Sequence, residues 1–272
     1  MSAQPDISFL VPVFNMANTL PDALESLFRI RDFPFEIIVI NDGSTDSTAE
    51  VITQWGNDLS GISNIEFRSI TQSNKGRAHA LNEGAKIAKG EYLSFIDADD
   101  IIDQDELLKL WACMQGDKKE LVLGQFKIAT EEGKIISNRE LGKNVTGDQL
   151  IKKLAFLPVS PVHLNAFLIK RTYFLKMKGL DMTNLKSEDK DLMIRLLRET
   201  ESLRVCDTFH YIYRKHDLSR LELFNKRFEW FFYRQKMIQK NFSGVTKVGS
   251  MCIQGVYDIL ELFYEVLFKY RF

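Results

Sequence analysis

The sequence predicts an α/β protein built on a single, mostly parallel sheet covered by helices on both faces. Three observations carry this. Over the first hundred residues, apolar runs alternate with helically spaced segments four times. The runs are continuously apolar, as in strands buried on both faces. Polar residues follow the runs at once, and in such sheets ligands bind beyond the carboxyl ends of the strands.

Ile7 to Phe14 is the first apolar run, with Pro12 near its end, where a missing N–H matters least. Leu20, Ala23, Leu24 and Leu27 then give Asn15 to Ile30 helical spacing. Phe35 to Ile40 is a second strand, rich in β-branched residues, ending in the turn cluster Asn41-Asp42-Gly43-Ser44. Asp46-Ser47-Thr48 opens a helix through Trp55. Ile65 to Ile70 reads as a third strand. Lys75 to Lys89 is helical through Ala78, Leu81, Ala85 and Ala88, and Gly90 stops it. Tyr92 to Ile96 is the fourth strand.

Beyond it, Asp103 to Cys113 is a helix; Glu120 to Ile128 and Gly133 to Ser137 are strands. A short helix is expected at Asp148 to Ala155, a strand at Val162 to Ile169, a further segment at Arg171 to Met177 and a turn at Gly179-Leu180-Asp181. Glu188 to Arg198 is a helix, Val205 to Tyr213 a strand, and Leu218 to Gln239 and Val256 to Phe268 are helices separated by Gly244. The expected organisation is a domain over residues 1–220 and a helical extension over 221–272.

Composition narrows the classes. The 272 residues are 45% hydrophobic and 27% charged, an ordinary globular profile. A net charge of −1 gives no electrostatic case for nucleic-acid binding. No basic-then-apolar leader stands at the N-terminus, and no run of about 18 apolar residues occurs. Cys113, Cys206 and Cys252 lie far apart and form neither a metal-ligand pattern nor an even disulfide set. A reducing, cytoplasmic compartment is therefore expected.

The fourth strand runs into Asp97, Asp99 and Asp100. Clustered carboxylates repel one another unless a positive charge sits among them. Two readings are open. One is a hard divalent cation, Mg²⁺ or Mn²⁺, held by oxygen ligands. The other is a solvated acidic turn that caps the next helix. Asn15, Asp42, Asn74 and Asp97/Asp99 all follow strand ends, so they converge on one sheet edge, as a nucleotide site with a metal would.

Six stretches, in this order, resemble family-2 glycosyltransferases of the GT-A fold. They are VPVFN (Val11–Asn15), NDGSTD (Asn41–Asp46), NKGRAHALNEG (Asn74–Gly84), IDADD (Ile96–Asp100), SEDKDLMIRL (Ser187–Leu196) and YRKH with a following serine (Tyr213–Ser219). The resemblance covers residues 7 to 220 and departs from the common pattern at Asn41, where many relatives carry Asp.

What the resemblance implies is an inverting enzyme. It would move a sugar from a nucleoside-diphosphate donor, expected to be a UDP-sugar, to an acceptor hydroxyl. Asp99 would be the metal ligand, with His216 approaching the metal or diphosphate and Arg214 and Ser219 assisting. Asp97 would meet the ribose or the metal's water, Asp42 the base, and the backbone at Pro12–Phe14 the base pocket. Asp100 would be an outer contact or a helix cap. Lys75 and Arg77 stand at a helix start, where charge and N–H groups favour phosphate or base oxygens; a solvated helix end is the alternative. Asp189 would be the general base, kept ionised at a helix N-terminus, with Glu188 orienting the site. Asp191 and Arg195, at i and i+4, pair on the helix surface and are structural. His79, His163 and His210 receive no role.

The acceptor implied is a glycan or a lipid-linked glycan. In the extension, an aromatic patch at 224–233 precedes a helix with Asp258, Glu261 and Glu265 on one face. Its acidic polar face favours packing or a homodimer over peripheral contact with the inner face of a membrane. Two rival readings are a sugar-nucleotide nucleotidyltransferase, against which stands the lack of a Gly-rich basic N-terminal signature, and a non-catalytic nucleotide-binding protein.

Overall fold

The computed structural model describes residues 5–115, 118–142, 145–156, 160, 162–183, 187–215 and 236–242. The elements in chain order are β1 (Ile7–Val13), α1 (Leu20–Phe28), β2 (Phe35–Asn41), α2 (Thr48–Asp58), β3 (Ile65–Thr71), α3 (Arg77–Ile87), β4 (Tyr92–Phe95), β5 (Ile101–Ile102), α4 (Gln104–Gln115), β6 (Leu121–Leu123), β7 (Phe126–Ala129), β8 (Ile135–Arg139), α5 (Gly147–Phe156), β9 (Phe167–Lys170), α6 (Arg171–Lys176), α7 (Glu188–Glu199), β10 (Leu203–Val205) and β11 (Tyr211–Arg214).

The large sheet has strand order β10-β6-β9-β4-β1-β2-β3. Strands β1 to β4 are parallel neighbours, and β10 runs parallel to β6. Only β9 is antiparallel, to both β4 and β6. Alternate side chains of β1 face opposite sides. Leu10 joins Ile38, Ile40, Leu81 and Leu192 in one core. Phe9, Val11 and Val13 join Ile37, Val39, Leu24 and Leu107 in the other. Every residue of β2 is buried, which explains its continuous apolar run.

A second sheet, of order β5-β11-β7-β8, was not predicted. It arises because two expected strands each break in the middle. The 120–128 run divides into β6 and β7; of the 205–213 run, only Val205 ends β10 and Tyr211–Tyr213 lie in β11, with 206–210 between them outside any strand. The breaks face each other: the Cys206 N–H donates to Leu123 O at 2.8 Å and the Gln125 N–H to Thr208 O at 2.7 Å. A Cβ on Gly124 would lie 2.6 Å from His210 Nδ1, so the buried imidazole fits only against glycine. The expected strand at 162–169 begins later, at Phe167, after a 3₁₀ turn over Leu164–Ala166.

The cysteine reading needs correction. Cys113, at the end of α4, and Cys206, just after β10, form a disulfide across a sequence separation of 93. Distance along the chain says nothing of distance in space, so the cysteines no longer argue for a reducing compartment. Cys252, the aromatic patch and the acidic helix of the extension lie outside the described residues. Residues 236–242 of the extension pack on the large domain: Met237 and Ile238 are fully buried in the core beside Leu192 and Leu196. Among the described residues, no helix is long and apolar enough to cross a membrane.

Candidate active site

The carboxyl ends of β1, β2, β3 and β4 lie at one edge, and the four loops that follow them fill it. The first two are bonded to each other. Asn15, at a positive φ of 55°, accepts the Thr45 N–H on Oδ1 at 2.8 Å and gives its own N–H to Ser44 Oγ at 3.0 Å. Asn is among the residues that tolerate that region, which suits it to the turn after β1. Asn41, the departure from the family pattern, uses its side chain locally: Oδ1 accepts the Ser44 N–H at 2.9 Å.

Asp42 joins the second loop to the third. It is buried and accepts hydrogen bonds from Lys75 N (2.8 Å), Gly76 N (2.8 Å) and Gln72 Nε2 (2.6 Å). Gly43 has φ +76°, and a Cβ there would stand 2.9 Å from Asn74 N, so the two loops touch backbone to backbone. Oδ2 of Asp42 carries only the Gly76 bond, which leaves acceptor capacity on that oxygen among the described contacts. Lys75 itself is exposed at the rim.

Arg77 opens α3 and lies across the acidic loop. Its Nε donates to Asp97 Oδ1 at 2.7 Å, its Nη2 to Asn165 Oδ1 at 3.0 Å, and its Nη1 stands 3.9 Å from Glu188 Oε1. Burial pushes the Asp97 carboxyl up, but the Arg77 charge and the hydrogen bonds from Arg77 and Asn165 outweigh it, so Asp97 titrates below the ordinary range. Asp97 is therefore an ion-pair partner in this structure.

Asp100 has a different environment. It is 1% exposed and accepts the Tyr211 hydroxyl and, at 2.7 Å, the Arg214 N–H. Burial, reinforced by the charges of Asp97 and Asp99, raises its carboxyl well above the usual range. It does not cap α4; Asp103 does, accepting the Glu106 N–H at 3.3 Å. Arg214 clamps the loop: its Nε bonds the Asp99 carbonyl and its Nη1 reaches Asp22 of α1 at 2.8 Å.

Asp99 faces a cavity of about 310 Å³ lined by Pro12, Phe14, Asp42, Arg77 and Asp97. Beside Arg77, α7 brings Glu188 to 3.9 Å from Nη1, with Asp189 next to it in the helix's first turn. Asp189 Oδ1 accepts the Lys190 N–H at 2.7 Å. Burial and the neighbouring Asp189 charge, opposed by Arg77, push Glu188 up to about 7.

The structure thus brings together Pro12, Phe14, Asp42, Arg77, Asp97 and Asp99 around one cavity. Arg214 buttresses it from behind, and His216 and Ser219 lie outside the described residues. No three His, Cys, Asp or Glu side chains form a metal cage among the described residues. The donor chemistry at Asp99 fits a hard cation whose remaining ligands come from a bound diphosphate and water. Sequence reasoning missed Asn165, Tyr211 and His163. His163 stacks on Tyr211 (5.0 Å between centroids) and Tyr213 (5.7 Å) beneath the acidic loop. The side-chain hydrogen-bond partners of Asn165 and Tyr211 lie between 46 and 111 residues away, beyond the reach of any local motif.

A large, mostly parallel sheet flanked by helices, with an acidic turn at its carboxyl edge, is the GT-A fold of glycosyltransferases. The chain belongs to glycosyl transferase family 2, whose pattern matches residues 8–177, more than half of its length. Over 226 residues it is 26% identical to the uncharacterized glycosyltransferase EpsJ of Bacillus subtilis, covering 80% of this chain and 64% of EpsJ. The chain therefore spans less than two thirds of that relative. Among solved structures it is similar to S. aureus TarS 1–349 in complex with UDP-GlcNAc, with TM-score 0.61 at 17% identity over 96% of this chain and 73% of that one. It is similar too to the mannosyltransferase PcManGT of Pyrobaculum calidifontis in complex with GDP-Man and Mn²⁺, with TM-score 0.64 at 15% identity over 95% and 71%. At these identities the likeness establishes the fold.

Proposed function

We propose that the protein transfers a sugar, with inversion, from a UDP-sugar to a hydroxyl of a glycan or lipid-linked glycan acceptor. The observation that supports this is the single cavity shared by Asp42, Arg77, Asp97 and Asp99, beside the first turn of α7, where Glu188 stands 3.9 Å from Arg77 and Asp189 follows it. Asp42 Oδ2 retains acceptor capacity for a base N–H, and Phe14, 42% exposed at the cavity, offers a ring face. Mn²⁺ or Mg²⁺, held by Asp99 with His216 as a further ligand, would act as a Lewis acid against the charge of the departing diphosphate.

The chain's own groups do the rest. The acceptor hydroxyl oxygen bonds to the anomeric carbon on the face opposite the diphosphate. The carbon–oxygen bond to the β-phosphate breaks, and its electron pair leaves with the nucleoside diphosphate. The hydroxyl proton passes to the Asp189 carboxylate. Arg77 holds Asp97 in place, and the N–H groups at the start of α3 favour negative charge.

The test is product analysis with two variants. Asp99→Ala abolishes metal-dependent release of UDP. Asp189→Asn keeps UDP affinity but lowers kcat by about 10²–10⁴-fold, the usual range for a lost general base. Near-normal turnover by Asp189→Asn would remove it as the base. Release of pyrophosphate in place of nucleoside diphosphate would establish the nucleotidyltransferase reading.

A further inference from the structure

Asn165 lies on the 3₁₀ turn before β9 and is fully buried, so it reaches no substrate. Its amide is nonetheless used in full. Oδ1 accepts from Arg77 Nη2 at 3.0 Å; Nδ2 donates to Asp97 Oδ2 at 3.0 Å and to Tyr211 Oη at 2.6 Å. Arginine only donates and an ionised carboxylate only accepts, so these neighbours fix which end of the amide is which. Tyr211 passes the connection on, donating its hydroxyl to Asp100. The turn is held in its turn: the Asn165 N–H donates to His163 Nδ1 at 3.3 Å, and His163 is stacked on Tyr211 and Tyr213.

We propose that Asn165 is the positioning residue of the donor site, the one side chain that ties Arg77, Asp97 and, through Tyr211, Asp100 into a single rigid frame around Asp99. The inference rests on the donor-site reading above. Three segments otherwise far apart in sequence meet at this amide: the start of α3, the acidic loop after β4, and β11. No other uncharged side chain of this size supplies one acceptor and two donors in a plane. Without it, Arg77 has a competing partner ready in Glu188, 3.9 Å from Nη1. Asp97 would keep its Arg77 bond but lose the contact that sets the plane of its carboxylate. Asp99, two residues on, would lose the fixed loop that presents it.

The full chain as wild type, Asn165→Ala and Asn165→Asp is titrated with UDP and with GDP by calorimetry, with and without Mn²⁺, and each is melted. Asn165→Ala weakens nucleotide affinity in Mn²⁺ roughly tenfold, since only a fraction of the loss of two buried hydrogen bonds to charged groups is felt at the nucleotide, which Asn165 does not touch. Asn165→Asp weakens it further, because a carboxylate cannot donate to Asp97 and repels it. In an Arg77→Ala background the same Asn165→Ala change has much less effect, since the two act as one unit. If Asn165→Ala does not fold, Asn165→Ser, small and still polar, takes its place. A lowered melting temperature with unchanged nucleotide affinity would make Asn165 merely structural and overturn the inference. So would effects of Arg77→Ala and Asn165→Ala that simply add. Wild type that binds neither nucleotide would overturn the donor-site reading itself, a result distinct from either of these.

Discussion

Glu188 is an acid whose environment works against its charge. Its side chain is 12% exposed, with Asp189 next to it and Arg77 at 3.9 Å. Burial and the Asp189 charge win over the arginine, and its pKa is pushed up to about 7. The sign for stability follows. The folded pKa lies above the ordinary glutamate value of 4.5, so the protonated form is favoured by folding. That contribution is present below pH 4.5 and is lost as pH rises through about 7. Glu188→Gln should therefore raise the melting temperature at pH 8 more than at pH 5, and remove any step in donor turnover near neutrality. A melting difference that is equal at both pH values would show that Glu188 stays ionised in the fold. At this scale, the candidates Asp42, Arg77, Asp97, Asp99 and Asp189 were legible because each lies in a short polar run at a strand or helix end. Glu188's perturbation was not legible, because its largest cause is burial, which the fold sets and no local motif encodes.

At the scale of elements, the sequence marks parallel strands well and strand breaks poorly. Strands β1 to β4 are continuous apolar runs, and their bounds are close to those expected. The β6/β7 and β10/β11 breaks carry no such mark. Gly124 is the one local sign of the first, and its reason is His210, 86 positions later, which fills the space a Cβ would need. The disulfide is illegible for the same reason. It joins the end of α4 to the segment between β10 and β11, and so ties the acidic loop's following helix to the chain that leads to Tyr211 and Arg214. Closing a loop of 93 residues restrains the unfolded chain by about 4–5 kcal/mol in the chain-entropy model. Reduction, or a Cys113→Ser and Cys206→Ser pair, should lower the melting temperature by roughly 10 °C for a chain of this size. Scanning calorimetry with and without reductant checks this; identical melts would mean the two thiols are not linked in solution.

For the whole molecule, the question is where the unit ends. The resemblance stops near residue 220, yet residues 236–242 are built into the core. Met237 and Ile238 are fully buried against α7. Asp191 of α7 is fully buried too and is held from both sides. Arg195 Nε donates to it at 2.8 Å and, through Nη1 and Nη2, to Met177 O and Gly179 O. From the extension come Asn241 Nδ2 at 2.8 Å and Lys240 Nζ at 3.0 Å, the lysine also pairing with Asp181 at 2.6 Å. The i,i+4 pair read from sequence as a surface feature is thus the centre of a buried network whose outer half the sequence pattern did not show. The same helix carries Asp189 in its first turn, so the extension braces the element that presents the proposed base. A chain shortened to residue 220 loses two buried apolar side chains, each contributing about 1.5–3 kcal/mol. It also leaves a buried carboxylate with a single cationic partner. It should melt roughly 10 °C or more below the full chain. Asp191→Asn in the full chain, which keeps the shape but removes the charge that Lys240 and Arg195 face, should fall between the two. If the shortened chain melted with the full one, residues 236–242 would be an independent appendage, and the support they give α7 would have to come from the strands beneath it.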